Sequence, residues 1–279
     1  MSSSPNVPVK THTLDVDGAS LHYEVRGQGP LLALIGAPMD ANAFTPMAEL
    51  LAADHTVLTV DPRGVQHSTV QDANQDSTPE IRAEDLSQLI TAVDAGPAIV
   101  FGSSGGAVTS LALAQAHPEQ LSTVIAHEPP LAELLENHEQ ILRETDATIA
   151  AYQSEGLLAG WKLFFAHASI EMPPGALEYM FGGERTAQQI SDDNHFFLHE
   201  MKLSTHWQPG IARLSSVPIN LIIGVGDDSA GQFCDRTCTA LASALNTEAV
   251  HFPGGHTGFV EDPAGFAVRL RSVLAEVRS

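Results

Sequence analysis

Hydrophobic and polar positions follow two alternating periods along this chain, and the period switches at regular intervals. Short apolar runs at residues 31–35, 55–60, 98–101, 121–126, 219–223 and 249–252 read as buried strands. Helical patterns separate them, at residues 43–51, 79–93, 105–116, 230–245 and 263–277. Thr78 or Ser77 stands where the second of these helices needs an N-cap. Near the start, two strand-like runs at 13–16 and 21–25 flank Asp17-Gly18, a hairpin turn signal. Such alternation predicts an α/β fold, a mostly parallel sheet with helices on both faces. It stops after residue 129. From there to about residue 210 the pattern is helical with loops, and both tryptophans lie in this stretch. The predicted organisation is a core of residues 1–129 and 211–279, interrupted by a helical insertion at 130–210.

One strand–helix junction carries candidate chemistry. The run Ala98-Ile99-Val100-Phe101 leads into Gly102-Ser103-Ser104-Gly105-Gly106, and an Ala- and Leu-rich helical pattern follows at once. Gly-x-Ser-x-Gly in a strand–turn–helix context is the requirement of a nucleophile elbow. Small residues two before and two after the serine let strand and helix approach closely. Gly102 and Gly106 satisfy this for Ser104, whereas a Ser103 register would put Phe101 at the crowded position.

An activated serine needs a base and a group to orient it. His256 lies in Gly254-Gly255-His256-Thr257, between the last predicted strand and the last helix, at the carboxyl edge of the sheet where open α/β folds place their sites. The acid should follow a strand at the same edge. Asp227 is favoured by Gly224-Val225-Gly226-Asp227, with Asp228 beside it and Glu128, after the strand at 121–126, as a weaker alternative. Oxyanion donors are expected from the backbone N–H groups of Gly105 and of Ala37, in the Gly36-Ala37-Pro38-Met39 loop. Met39 would then sit near the acyl site or pack in the core, and His127 would line the site or mark a rigid hinge. In the insertion, Trp161, Phe165, Phe181 and Phe197 either contact substrate or form the insertion's own small core.

Composition narrows the partners. A formal net charge of −21 repels nucleic acid and anionic membranes. No apolar run reaches membrane-spanning length. Met1-Ser2-Ser3-Ser4-Pro5 lacks the features of a signal peptide, so a cytoplasmic location is expected. The two cysteines, Cys234 and Cys238, are four apart in a helical pattern and read as ordinary helix residues. His195 and His199 could share a helix face, but the glutamate of the zinc-protease motif is missing, and no metal site is expected.

The order Ser104, Asp227, His256, each after a strand, resembles the α/β-hydrolase fold. Asp61-Pro62-Arg63-Gly64 followed by Ser68 is similar to that family's Asp-x-Arg-Gly-x-Gly-x-Ser loop, and Gly254-Gly255-His256 with Pro263 fits its final motif. Two positions depart from the pattern. Ile35 stands where His often precedes the oxyanion loop, and Gln66 replaces the second glycine of the Asp-x-Arg-Gly loop. The resemblance is strongest to capped esterases, haloperoxidases and carbon–carbon hydrolases. It implies that residues 130–210 form a cap and that a cofactor-free serine hydrolase acts on small to medium apolar esters, thioesters or lactones. Carbon–carbon hydrolysis or perhydrolysis by the same residues, or a ligand receptor on the same fold, are the alternatives. A homodimer is compatible with the sequence.

Overall fold

The computed structural model describes residues 7–277, and the reading of Met1-Ser2-Ser3-Ser4-Pro5 lies outside them. The first hairpin joins β1 (Val9–Val16) to β2 (Ala19–Arg26), with Gly18 at φ 72° in its turn. Then come β3 (Leu31–Ile35), α1 (Ala41–Leu51), β4 (Thr56–Val60), the two-residue β5 (Thr69–Val70), α2 (Pro79–Val93), β6 (Ala98–Ser103), α3 (Gly105–Ala116) and β7 (Leu121–His127). After β7 the chain is helical: α4 (His138–Glu155), α5 (Leu157–Ala168), α6 (Ala176–Phe181), α7 (Ala187–His195), a π turn at Phe196–Glu200, α8 (Met201–Thr205) and α9 (Ile211–Leu214). Strand and helix alternate again in β8 (Asn220–Gly226), α10 (Phe233–Ala244), β9 (Val250–Phe252), α11 (Gly258–Glu261) and α12 (Pro263–Glu276).

The sheet order is β1-β2-β4-β3-β6-β7-β8-β9, with β5 paired to β2. Pairing is parallel from β4 to β9 and antiparallel around β2. Period-2 burial sorts the central strands into two apolar layers. Leu31, Ala33 and Ile35 of β3 join Val100 of β6 and Val124 of β7 under α2, α3 and α10. Leu32 and Leu34 face the other way, with Phe101, under α1, α11 and α12. Both faces are covered, which is why these strands read as continuous apolar runs. A third cluster lies in the helical stretch, where Phe196, Phe197 and Met201 pack with Trp161, Phe164 and Tyr152.

Two elements extend beyond the sequence reading. β1 starts at Val9, because an exposed outer strand carries polar residues such as Lys10, Thr11 and His12 instead of an apolar run. β5 lies between the apolar run at 55–60 and the helical pattern at 79–93, where no strand was expected. Among the described residues no helix is long and apolar enough to cross a membrane.

Candidate active site

β6 ends at Ser103 and α3 begins at Gly105, so Ser104 alone makes the turn. Its backbone sits at φ 57°, ψ −124°, a conformation that costs energy for any residue with a Cβ. A Cβ on Gly102 would stand 2.4 Å from the Gly106 carbonyl oxygen, and one on Gly106 would stand 2.5 Å from that of Ile35. Glycine is required at both places by close backbone approach. The Ser104 amide donates to the His127 carbonyl at 3.0 Å, which ties the turn to β7. Ser103 is fully buried, its hydroxyl 3.2 Å from His127 Nδ1.

Ser104 lines a cavity together with Ala37, Pro38, Gly105 and His256. Ile141, Phe164, Phe196, Met201 and Phe233 make most of the remaining wall apolar. Gly105 opens α3, whose first amides have no intrahelical acceptor. A Cβ on Gly105 would lie 2.8 Å from the Ala37 carbonyl oxygen, so the two backbones expected to supply oxyanion donors touch.

His256 follows β9, and its Nδ1 lies 2.6 Å from Glu128 Oε2. Glu128 is completely buried at the end of β7, at φ 52°. Its other oxygen accepts from the Gly226 amide at 2.8 Å. Burial alone would push this carboxyl up, but the His256 hydrogen bond and charge outweigh it and hold the group down at about 2. An ionised carboxylate only accepts, so the imidazole donates through Nδ1 and leaves Nε2 as its basic nitrogen.

The expected acid sits elsewhere. Asp227 is exposed, with its carboxylate 3.2 Å from His251 Nδ1, and Asp228 is exposed beside it. The Asp227 amide continues the ladder to the Phe252 carbonyl at 2.8 Å, and its side chain is exposed. Glu128, the weaker alternative in the sequence, is the acid that meets His256.

The substrate-contact expectations also need correction, since none of the six residues is among those lining the cavity. Met39 packs at the margin of the α1–α12 layer. His127 is buried beneath the edge, ringed by Phe101, Phe252, Phe259 and Phe266, and burial lowers its pKa to about 4. Trp161 is sandwiched between Phe181 and Phe196 at 4.7 and 5.2 Å. Phe165 packs on Trp161 at 5.8 Å. Phe197 is wholly buried and stacks on Tyr152 at 4.4 Å. These aromatic residues form the insertion's own core, the other reading of the same pattern. The cavity wall comes instead from their neighbours Phe164 and Phe196, and from Ile141 and Met201. Helix rotation separates the two sets, and no period in the sequence announced the π turn that sets the register at Phe196.

The Asp61 loop braces the site. Buried Asp61 accepts from the Ala41 amide at 3.0 Å and from His67 Nδ1 at 2.9 Å, and Arg63 forks onto Asp85 at 2.7 and 2.6 Å. Gln66, the departure from the glycine pattern, adopts φ 50°, and its amide groups bond Asp192 of α7 at 3.0 Å each. The loop keeps the positive φ and gains a tie to the helical stretch. Among the described residues, metal-type donor atoms gather in His22, Asp61 and His67, and in Glu128, Cys234 and His256. The second group is the ion pair already described plus one thiol. Neither includes His195 or His199. Both cysteines are buried and free.

Comparison with known proteins agrees with this architecture. The family model for the alpha/beta hydrolase fold matches residues 29–156. The uncharacterized hydrolase YraK of Bacillus subtilis (strain 168) is 32% identical over 271 residues, covering 95% of this chain and 96% of that one. A zearalenone hydrolase of Cladophialophora bantiana is 25% identical, covering 93% and 94%. The crystal structure of the enol-lactonase from Burkholderia xenovorans LB400 superposes with a TM-score of 0.72 at 18% identity, covering 95% and 100%.

Proposed function

The chain belongs to the α/β-hydrolase family and is a hydrolase, and we propose that it cleaves ester or lactone bonds of small to medium apolar substrates through Ser104, His256 and Glu128. One observation carries the reading. Ser104, held at φ 57°, shares a single apolar cavity with Ala37, Gly105 and an imidazole whose far nitrogen is paired to a buried carboxylate.

In this scheme His256 Nε2 takes the Ser104 proton as Oγ attacks the acyl carbon. The carbonyl oxygen becomes an oxyanion and accepts from the Ala37 and Gly105 amides. His256 returns the proton to the leaving oxygen. It then takes a proton from water as the water oxygen attacks the acyl-enzyme, and passes that proton to Ser104 Oγ as the acyl–Oγ bond breaks and the acid leaves. Glu128 keeps Nε2 free as the base and stabilises the imidazolium that forms. Every group that moves a proton belongs to the chain or to water. Residues 130–210 act as a cap, with Phe164, Phe196 and Met201 over the acyl chain. A zearalenone hydrolase among the full-length relatives supports the hydrolytic reading.

A panel of nitrophenyl esters and lactones tests the reading. Wild-type protein turns over part of the panel, and Ser104→Ala lowers that turnover by about 10³ or more. Equal turnover in Ser104→Ala overturns it.

A further inference from the structure

Glu200 is a buried acid on the cavity wall that the proposed reaction leaves unused. It is 1% exposed, lines the cavity that holds Ser104 and His256, and ends the π turn Phe196–Glu200. Single π turns inside helices are frequent at functional sites, because they set one side chain out of the regular register.

Neither carboxyl oxygen of Glu200 has a hydrogen-bond partner among the described residues. The nearby cation, Arg82, is itself buried and makes four hydrogen bonds to other groups. Nε bonds Thr109 Oγ1 at 2.9 Å, one amino group bonds the Ser77 carbonyl and hydroxyl, and the other bonds Ser204 Oγ at 2.8 Å. Glu200 also meets the start of α3, since a Cβ on Gly105 would stand 3.3 Å from Glu200 Oε1.

A buried carboxylate with no partner is costly, and the neutral acid is the cheaper form. Burial raises the Glu200 pKa above the ordinary carboxylate range, with the charge of Arg82 opposing. The neutral acid carries an O–H donor and a carbonyl acceptor. Glu128, in contact with the imidazole, is shifted the other way, so the site drives its two carboxyls apart. The leaving oxygen must face His256 to be protonated. A substrate group lying against Gly105 and Glu200 therefore belongs to the acyl side.

We propose that Glu200 is a polar subsite whose carboxyl hydrogen-bonds a second oxygen, a hydroxyl or a carbonyl, on the acyl side of the substrate near its scissile carbonyl. The substrate class is thus a β-oxygenated ester or lactone, apolar beyond that oxygen. This rests on the hydrolase reading of Ser104 and His256 given above.

The test compares nitrophenyl butyrate with nitrophenyl 3-hydroxybutyrate. The preference is read as a ratio of kcat/KM in otherwise wild-type protein, and as a ratio of Kd by calorimetry in Ser104→Ala, which needs no turnover. Glu200→Leu lowers the preference for the hydroxylated ester about ten-fold by both measures. Glu200→Gln, which restores an N–H donor of the same length, keeps it within about three-fold. The ratio cancels any general loss of folding, since both esters meet the same protein. An unchanged ratio in Glu200→Leu overturns the subsite, and so does failure of Ser104→Ala to bind either ester. A preference for the 4-aminobutyrate ester over the hydroxylated one also overturns it, by showing an ionised carboxylate. Absence of wild-type turnover with the Kd ratio intact counts against the hydrolytic reading and leaves the subsite standing.

Discussion

β7 and β8 are neighbours in the sheet, and each ends in an acid at the same edge. Glu128 after β7 is completely buried against His256, while Asp227 after β8 has a side chain 59% exposed and faces His251. Backbone paths explain the contrast. At Glu128 the chain turns at positive φ into Pro129-Pro130, its amide bonds the Gly224 carbonyl at 2.9 Å, and the side chain swings under the imidazole. Asp227 makes the equivalent bond to β9 but has no positive φ, and its side chain points to water. The edge of an α/β sheet therefore offers adjacent stations for the acid. The inward turn of the backbone selects between them, and the Gly-x-x-Asp spacing does not.

The largest effect is expected of Glu128→Gln. Loss of the charge that supports the imidazolium, together with the wrong tautomer, should lower ester turnover by up to about 10⁴. Steady-state kinetics check it, and turnover close to wild type would place the acid elsewhere.

Acid titration sharpens the same contrast. Burial holds His127, beside Glu128, and His195 down at about 4 each. An unfolded histidine titrates near 6.5. Between roughly pH 6.5 and 4 the unfolded chain binds protons that the folded chain refuses, so stability falls as pH falls. The slope is at most about 1.4 kcal/mol per pH unit for each imidazole. Glu128 works in a lower window. Its pKa is depressed to about 2, so its contribution is full above its ordinary range near 4.5 and is lost as pH falls toward 2. Thermal melting followed from pH 7 to 4 should show a shallower loss in His127→Asn than in wild type. Parallel curves would mean that the buried imidazole does not resist protonation.

The smallest effect belongs to Asp227. Its contact with His251 is solvated, and such pairs contribute at most about 1 kcal/mol. Asp227→Asn should leave turnover within about twofold and stability within about 0.5 kcal/mol. Chemical denaturation and kinetics on the one variant read both.

Most of the core was legible because its strands are covered on both faces. Residues 31–35, 79–93 and 105–116 coincide with β3, α2 and α3. The elbow was legible for a local reason, since Gly102, Ser104 and Gly106 are demanded by contacts within the turn and with β3. The acid was not, because its identity depends on how two separate strand ends are tilted toward His256. His127-Glu128-Pro129-Pro130 held a signal, a charged residue between a buried strand and two prolines, but spacing alone gave it no precedence over Asp227-Asp228. The aromatics of the helical stretch misled because neighbouring residues of one element serve two surfaces. Phe197 and Trp161 face the third apolar cluster, while Phe196 and Phe164 also reach the cavity. Glu200 carried no sequence signal at all, as an isolated Glu in a helical stretch ordinarily faces water.

The central claim is that Ser104 is activated by His256 held by Glu128. Fluorophosphonate labelling of wild type, Glu128→Gln and Asp227→Asn, with the modified residue located by peptide mass spectrometry, tests it most directly. Labelling is expected on Ser104 at similar rates in wild type and Asp227→Asn, with a large loss of rate in Glu128→Gln. Labelling of Ser103, or a rate lost in Asp227→Asn and kept in Glu128→Gln, would contradict it.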